Sequence, residues 1–181
     1  SAVCSAFSSF IVYFANDKEG IQTITYWMMG SLAGAKWEHM AIIGGIVALA
    51  VLFFWSQSRI LNLMLLGDAS AITLGTDLHP YRQTYLIVSA LVVGFAVFAA
   101  GMIGFVGLVV PHVVRMLVGT HHGHLIPVTA LAGAIFLVVA DGLCRIIIPH
   151  TELPIGILIS LVGAPAFIYL MVKRTYGFGG N

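Results

Sequence analysis

Few side chains in this sequence are of types that carry out chemistry, and Asp141 and Arg145 form the most suggestive pair. They stand four residues apart near the end of an apolar run. That spacing favours an i,i+4 ion pair, with the arginine reaching out to the membrane interface. A cationic docking point on the outer face is the alternative. From the residues alone the ion pair is favoured by about two to one, because snorkelling is the usual fate of such side chains.

Three histidines, His121, His122 and His124, lie close together and raise the question of a metal site. They have no Cys, Asp or Glu nearby in the sequence, so a solvated loop is favoured over structural metal binding. Cys4 and Cys144 lack the spacing of metal ligands, and we expect both to be free thiols packed as small apolar residues. The sequence therefore predicts neither a metal site nor a cofactor site in this chain.

Small residues recur at helical spacing in the first and last apolar runs. These are Ser1, Ser5, Ser8 and Ser9 in the first run, and Gly156, Ser160 and Gly163 in the last. Such residues either line a polar pathway or let helices approach closely, as small-xxx-small contacts do. Close packing is at least as well supported as a pathway in the first run, and it is favoured in the last.

Motifs that supply energy or catalysis are missing from the sequence. It contains neither a Walker-type phosphate loop, nor a nucleophile elbow, nor a His-Glu-x-x-His motif. It also lacks the cluster of ionisable groups in mid-bilayer that a proton-coupled carrier normally requires. We therefore expect a protein that is not an enzyme and that draws its energy from a partner.

Composition sets the fold class. The 181 residues are 60% hydrophobic and 8% charged, with a mean hydropathy of +1.03, whereas a soluble domain carries about 25% charged residues. Long apolar runs without strict alternation indicate helices rather than barrel strands. We predict an all-α polytopic membrane protein, and a net charge of +1 argues against nucleic acid as a partner.

The apolar runs divide into about six transmembrane helices, one of them incomplete. The first two spans are predicted at 1–15 and 39–56, with an interfacial helix between them at 21–32. The run at 85–119 is divided near Gly101–Gly107 into two pieces. The last two spans are predicted at 125–148 and from 151–154 to 173–174. The run at 85–119 is too long for one crossing of about 20 residues, so one of its two pieces is expected to be broken or re-entrant. Because the chain starts inside an apolar run, we expect the C-terminal part of a larger protein.

Residues 59–78 form the one long segment that is predicted to be structured and yet outside lipid. Gly67 fits a helix stop, Asp68 an N-cap for a second short helix, and Gly75 the next stop. A helix from Ala69 to Leu74 is far below the roughly 12–15 residues needed for stability alone. It must therefore dock against something, such as another subunit.

Basic residues near the span ends orient the chain. If the loop at 59–78 is cytoplasmic, five basic residues lie inside and three outside, which is a modest agreement with the positive-inside rule. The inner set is Arg59, Arg82, Arg115, Lys173 and Arg174, and the outer set is Lys18, Lys36 and Arg145.

Several motifs, in order along nearly the whole chain, resemble the permeases of type II ATP-binding-cassette importers. They are Tyr26–Ser31, Leu65–Ala69 with Leu74–Gly75, Gly104–Arg115, Leu131–Gly133, Ala140–Asp141, Glu152–Gly156 and Gly163–Phe167. That family takes up iron-siderophores, haem and cobalamin. Its subunits have about ten helices, each of about 20 residues, so the resemblance implies that residues 1–181 are a single permease domain, incomplete at its N-terminus.

The resemblance also implies roles for particular residues. The short helices within 59–78 match cytoplasmic coupling helices that sit in a groove of an ATPase, through Leu66, Gly67, Asp68, Ala71, Leu74 and Gly75. Arg145 matches an outer-face arginine that pairs with a glutamate of a substrate-binding protein. The resemblance therefore favours docking over a purely internal ion pair for Arg145. The spans that contain Ser5, Ser8, Ser9 and Ser160 resemble those flanking the pathway at a dimer axis.

The implied partners are two ATPase subunits that bind ATP and Mg, an external substrate-binding protein, a second permease subunit and the lipid of a prokaryotic cytoplasmic membrane. Iron-siderophore import is the first expectation because that class is common in the family, with haem and cobalamin next. A carrier or channel driven by an ion gradient is the alternative, and a membrane-embedded enzyme is a third interpretation.

Overall fold

The computed structural model describes residues 2–14, 18–147 and 153–176. Within these ranges the chain is helical and contains no strand, so the predicted all-α class is confirmed. The helices are α1 (Ala2–Phe14), α2 (Lys18–Met29), α3 (Trp37–Ser56), α4 (Ser58–Met64), α5 (Asp68–Thr73), α6 (His79–Ala100), α7 (Val106–Val118), α8 (His122–Ile147) and α9 (Ile155–Tyr176).

Three of these helices, α3, α6 and α8, are long and apolar enough to cross a membrane. The predicted division of residues 85–119 is confirmed, because the chain leaves the helix at Gly101 and re-enters it at Val106. Helix α7 has 13 residues, which at 1.5 Å per residue is about 20 Å. Since the hydrocarbon core is about 30 Å thick, α7 is the incomplete piece.

Several predicted boundaries differ from the observed ones. Helix α6 begins at His79, well before the span predicted from residue 85. Helix α2 begins at Lys18, inside the polar turn predicted at 16–20, of which residues 16 and 17 lie outside the described ranges. The predicted histidine loop is wrong, because α8 begins at His122 and includes His124. The side chain of Asn62 supplies an acceptor for the first backbone N–H of α8, so the helix starts earlier than its apolar run.

Because the long helices alternate in direction, the connecting segments gather at two ends of the molecule. Residues 55–79 and 119–124 meet at one end, which we call the loop end. Residues 30–36, 101–105, 145–147 and 153–156 meet at the other, which we call the Arg145 end. The loop end is the predicted cytoplasmic side.

The buried residues form two small cores, one towards each end. Ala140, Cys144, Ile155 and Ile159 pack between α8 and α9, close to the Arg145 end. Val110, Val114 and Leu125 pack between α7 and α8, closer to the loop end. Helix α8 therefore contributes to both cores and is the central packing element of the described chain.

Glycines in α9 allow very close helix approach. A Cβ added at Gly163 would lie 2.6 Å from Cβ of Phe105, and one added at Gly156 would overlap the carbonyl oxygen of Met29. Phe105 itself has φ +62°, the one positive value among the described non-glycine residues. The packing interpretation of Gly156 and Gly163 is thus confirmed.

Candidate functional site

The loop at 59–78 consists of two short helices separated by a glycine. Gly67, three residues after the last residue of α4, has φ +85°, and its N–H donates to the carbonyl of Met64 at 3.3 Å in the turn that follows the helix. Gly75 has φ +77° and its N–H donates to the carbonyl of Ile72 at 2.9 Å, just beyond α5. Only glycine adopts this left-handed conformation at little cost. Both predicted stops are therefore confirmed.

The predicted N-cap at Asp68 is wrong, because the N-cap position of α5 is occupied by Gly67. Asp68 is the first helical residue, and its carboxylate lies 2.9 Å from Nη2 and 3.5 Å from Nη1 of Arg82 in α6. Asp68 instead forms this ion pair, which joins the short helix to the first turns of α6. Both side chains are more than half exposed, so the pair adds at most about 1 kcal/mol to stability.

Helix α5 has an inner and an outer face. Ala71 is completely buried, and its carbonyl accepts hydrogen bonds from the N–H groups of Leu74 and Thr76. Ile72 and Leu74 are 68% and 65% exposed, and Leu66 before the helix is 61% exposed. Ala71 therefore anchors the helix, while the three larger apolar side chains on and beside it are exposed, and we call them together the α5 patch. Scattered single apolar residues are common on surfaces, but a cluster marks a contact site.

Polar contacts fasten the end of α3 and the loop to α8. The indole N–H of Trp55 donates to the carbonyl of Gly123 at 3.0 Å. Oδ1 of Asn62 lies 2.8 Å from the backbone nitrogen of His122 and 2.8 Å from its ring Nδ1. Free N–H groups at a helix start need acceptors, and Asn62 provides one from another helix. These contacts place the short helices at a defined position against the long ones.

The histidines of this region show no arrangement for a metal. Nδ1 of His121 accepts a hydrogen bond from the backbone N–H of Gly123 at 3.2 Å, and the rings of His121 and His124 have centroids 5.7 Å apart. Within the described ranges, no three His, Cys, Asp or Glu side chains are grouped so that they could hold a metal ion.

At the opposite end, the Asp141–Arg145 pair adopts the geometry that its spacing predicts. Nε of Arg145 lies 2.8 Å from Oδ2 of Asp141. The arginine side chain is 54% exposed, while the aspartate is only 25% exposed. Arg145 is thus paired with Asp141 while its guanidinium remains at the surface. The ion pair and an exposed cation therefore occur together. Cys144, one turn from Asp141, is a buried free thiol as expected, and the side chain of Cys4 lies outside the described part.

The serines predicted to line a pathway are only partly described. Ser9 in α1 and Ser160 in α9 are exposed, whereas the side chains of Ser5 and Ser8, and Ser1 as a whole, lie outside the described part. Ser160 borders a groove of about 500 Å³ whose other lining residues are Met28, Met29, Met102, Gly156, Ile157 and Leu161. The methionines were missed by sequence reasoning, because only the fold brings residues 28, 102 and 160 together.

Comparison with known proteins agrees with this geometry. Residues 1–173 match the model of the FecCD transport family. The chain is 37% identical over 174 residues to the hemin transport system permease protein HmuU of Yersinia pestis, covering 96% of this chain and 52% of that protein. It is 39% identical over 173 residues to the vitamin B12 import system permease protein BtuC of Salmonella typhi, covering 94% and 52%.

A solved structure is similar in both fold and sequence. It is described as an inward-facing conformation of a metal-chelate type ABC transporter and matches with a TM-score of 0.88 and 36% identity, covering 95% of this chain and 56% of that one. The chain spans about half the length of the curated relatives that it matches. By the extent of the family match, this chain belongs to the FecCD transport family.

Proposed function

We propose that this chain is the membrane-spanning part of a permease subunit in an ATP-binding-cassette importer, and that it passes a metal chelate into the cytoplasm of a prokaryote. The chelate is an iron-siderophore complex in the first instance, with haem and cobalamin as the other members of the class. Two ATPase subunits bind ATP and Mg, a substrate-binding protein delivers the chelate, and a second permease subunit completes the pathway.

One observation carries this proposal. The α5 patch, formed by Leu66, Ile72 and Leu74, is exposed at the loop end of the spans, on and beside a helix of six residues. A helix this short gains little stability of its own, and exposed clustered apolar side chains favour a protein contact. An ATPase groove that accepts the α5 patch would supply the missing energy source. Family membership supports the same assignment.

Reconstitution tests the proposal. The complete permease that contains this chain is placed in proteoliposomes with its ATPase subunits and binding protein, and uptake of a ferric siderophore, haemin and cobalamin is measured. Uptake of one chelate is expected only with ATP and the binding protein present. Uptake by the permease alone, driven by a proton or sodium gradient, would overturn the proposal and favour the secondary carrier.

A further inference from the structure

Helix α6 connects the two ends of the molecule in one unbroken length. Its 22 residues extend about 33 Å at 1.5 Å per residue. Its one proline, Pro80, lies in the first turn, where proline is tolerated. By contrast, α7, α8 and α9 each contain an internal proline, at 111, 127 and 165. Sharp helix kinks arise mostly at such prolines, and α6 has none beyond its first turn.

At the loop end, α6 is attached to the short helix α5 through Arg82. The guanidinium of Arg82 contacts the Asp68 carboxylate at 2.9 Å and 3.5 Å, through both terminal nitrogens. A two-contact arginine–carboxylate pair fixes direction as well as distance. Beside it, Leu78 is buried, and Oδ1 of Asp77 accepts the N–H of His79 at 2.9 Å. These contacts join α5 to the start of α6.

At the Arg145 end, α6 is attached to α2 and α9 through backbone groups. The Ser31 N–H donates to the Ala100 carbonyl at 2.9 Å, and the Met102 N–H points to the Trp27 carbonyl at 3.4 Å. The Gly156 N–H, at the start of α9, points to the Gly30 carbonyl at 3.4 Å. We call this crossing of three chain segments the glycine junction, after Gly30, Gly101 and Gly156.

Each of these three glycines is buried where a side chain would collide with backbone. A Cβ at Gly101 would overlap the Trp27 carbonyl oxygen and lie 3.0 Å from Cα of Gly30. One at Gly30 would lie 3.0 Å from the Met102 carbonyl oxygen, and one at Gly156 would overlap the Met29 carbonyl oxygen. Backbone in direct contact with backbone cannot adapt by changing a rotamer. The junction therefore holds the ends of α2 and α6 and the start of α9 in one arrangement.

We propose that α6 acts as a strut that transmits movement of α5 to α2, with Asp68–Arg82 fastening one end and the glycine junction the other. This inference rests on the proposed function, since it assigns the route by which movement of an ATPase bound at the α5 patch is transmitted to α2. Gly101, Gly156 and Arg82 are positioning residues in this role. They contact neither the chelate nor ATP.

Variants of the reconstituted importer test the strut. Gly101→Ala and Gly156→Ala are expected to lower chelate transported per ATP hydrolysed by roughly 5- to 150-fold, the usual range for coupling between two sites. The matched control is Gly94→Ala in α6, where an added Cβ meets nothing within 4 Å, and it should keep the wild-type ratio. Arg82→Asp should lower the ratio, and Arg82→Lys, which keeps a positive charge opposite Asp68, should lower it less.

A distance measurement tests the strut without altering the junction. Spin labels at Gln22 in α2 and Ser70 in α5, in complexes with one labelled chain, should keep the same separation in nucleotide-free and ATP-trapped states. A label separation that changes with nucleotide would overturn the strut while leaving ATP-driven uptake intact. The same holds if the Gly101→Ala importer transports as much chelate per ATP hydrolysed as the wild type. Loss of ATP-dependence in the unmodified importer would instead overturn the proposed function.

Discussion

The side-chain oxygen of Asn62 in α4 lies 2.8 Å from both the backbone nitrogen and the ring Nδ1 of His122 in the first turn of α8. One acceptor therefore serves two donors on a helix that is 60 residues away in the sequence. Because Oδ1 cannot donate, the hydrogen of the neutral ring lies on Nδ1. This contact links the loop to α8, the helix that contributes to both cores.

Replacing Asn62 tests this link. Asn62→Ala removes the acceptor for the first N–H of α8 and should destabilise the permease by about 1 kcal/mol, as loss of an N-cap does. Asn62→Asp keeps an oxygen at the same position and should retain most of the stability. Thermal unfolding of the detergent-solubilised complete permease measures both variants. Equal melting temperatures for Asn62→Ala and the wild type would contradict the assigned role.

The α5 patch gives a second prediction. Leu66→Glu and Leu74→Glu alter side chains that are 61% and 65% exposed, so the permease should fold normally. Each variant should weaken ATPase association by about tenfold or more, since charges are unfavourable in the apolar centre of an interface. Co-purification and titration of the ATPase subunits measure the loss.

Gln83→Glu is the control for the α5 patch, because it adds a negative charge at the same end of the molecule on an exposed position of α6. It should bind the ATPase like the wild type. If the control and the two leucine variants lose the same affinity, the effect is general electrostatics and the α5 patch is not the contact.

Whether a contact can be predicted from the sequence depends on how far apart its two residues lie along the chain. The stops at Gly67 and Gly75 follow from local backbone preference, and the Asp141–Arg145 pair follows from spacing along one helix. The prediction of an N-cap at Asp68 was wrong because Arg82, 14 residues away in the sequence, binds the carboxylate. Local capping rules contain no information about that partner.

The same limit explains the other differences. The start of α8 at His122 depends on Asn62, and the junction of Gly30, Gly101 and Gly156 depends on three segments far apart in the chain. Glycine composition alone does not distinguish these positions from Gly94 or Gly45, where an added Cβ meets nothing within 4 Å. Only tertiary packing separates the two kinds of glycine.

Gly163 provides a stability prediction on this point. Gly163→Ala places a Cβ 2.6 Å from Cβ of Phe105, an atom next to the backbone that cannot move by a rotamer change. Overpacking of this kind costs about 1–3 kcal/mol, so the melting temperature should fall. Gly45→Ala in α3, where an added Cβ has open space, is the control and should be neutral or slightly stabilising. Equal unfolding of the two variants would argue against the close approach of α9 to Phe105.

Arg145 provides the last prediction, at the opposite end from the α5 patch. Its guanidinium is 54% exposed and is held by Asp141 at 2.8 Å, so it is oriented and yet accessible. If it pairs with a carboxylate of the binding protein, Arg145→Glu should slow association by about tenfold at low salt, because exposed charges act mainly on the on-rate. The difference should shrink as ionic strength rises and the Debye length falls.

Asp141→Asn separates docking from a purely internal role for this pair. It removes the Asp141 carboxylate from the ion pair but leaves the positive charge of Arg145, so association should be as fast as in the wild type or faster. Association rates from biolayer interferometry, with the complete permease in nanodiscs and the binding protein in solution at two salt concentrations, measure all three proteins. If Asp141→Asn slows association as much as Arg145→Glu does, the intact ion pair is what matters and Arg145 is not the docking charge.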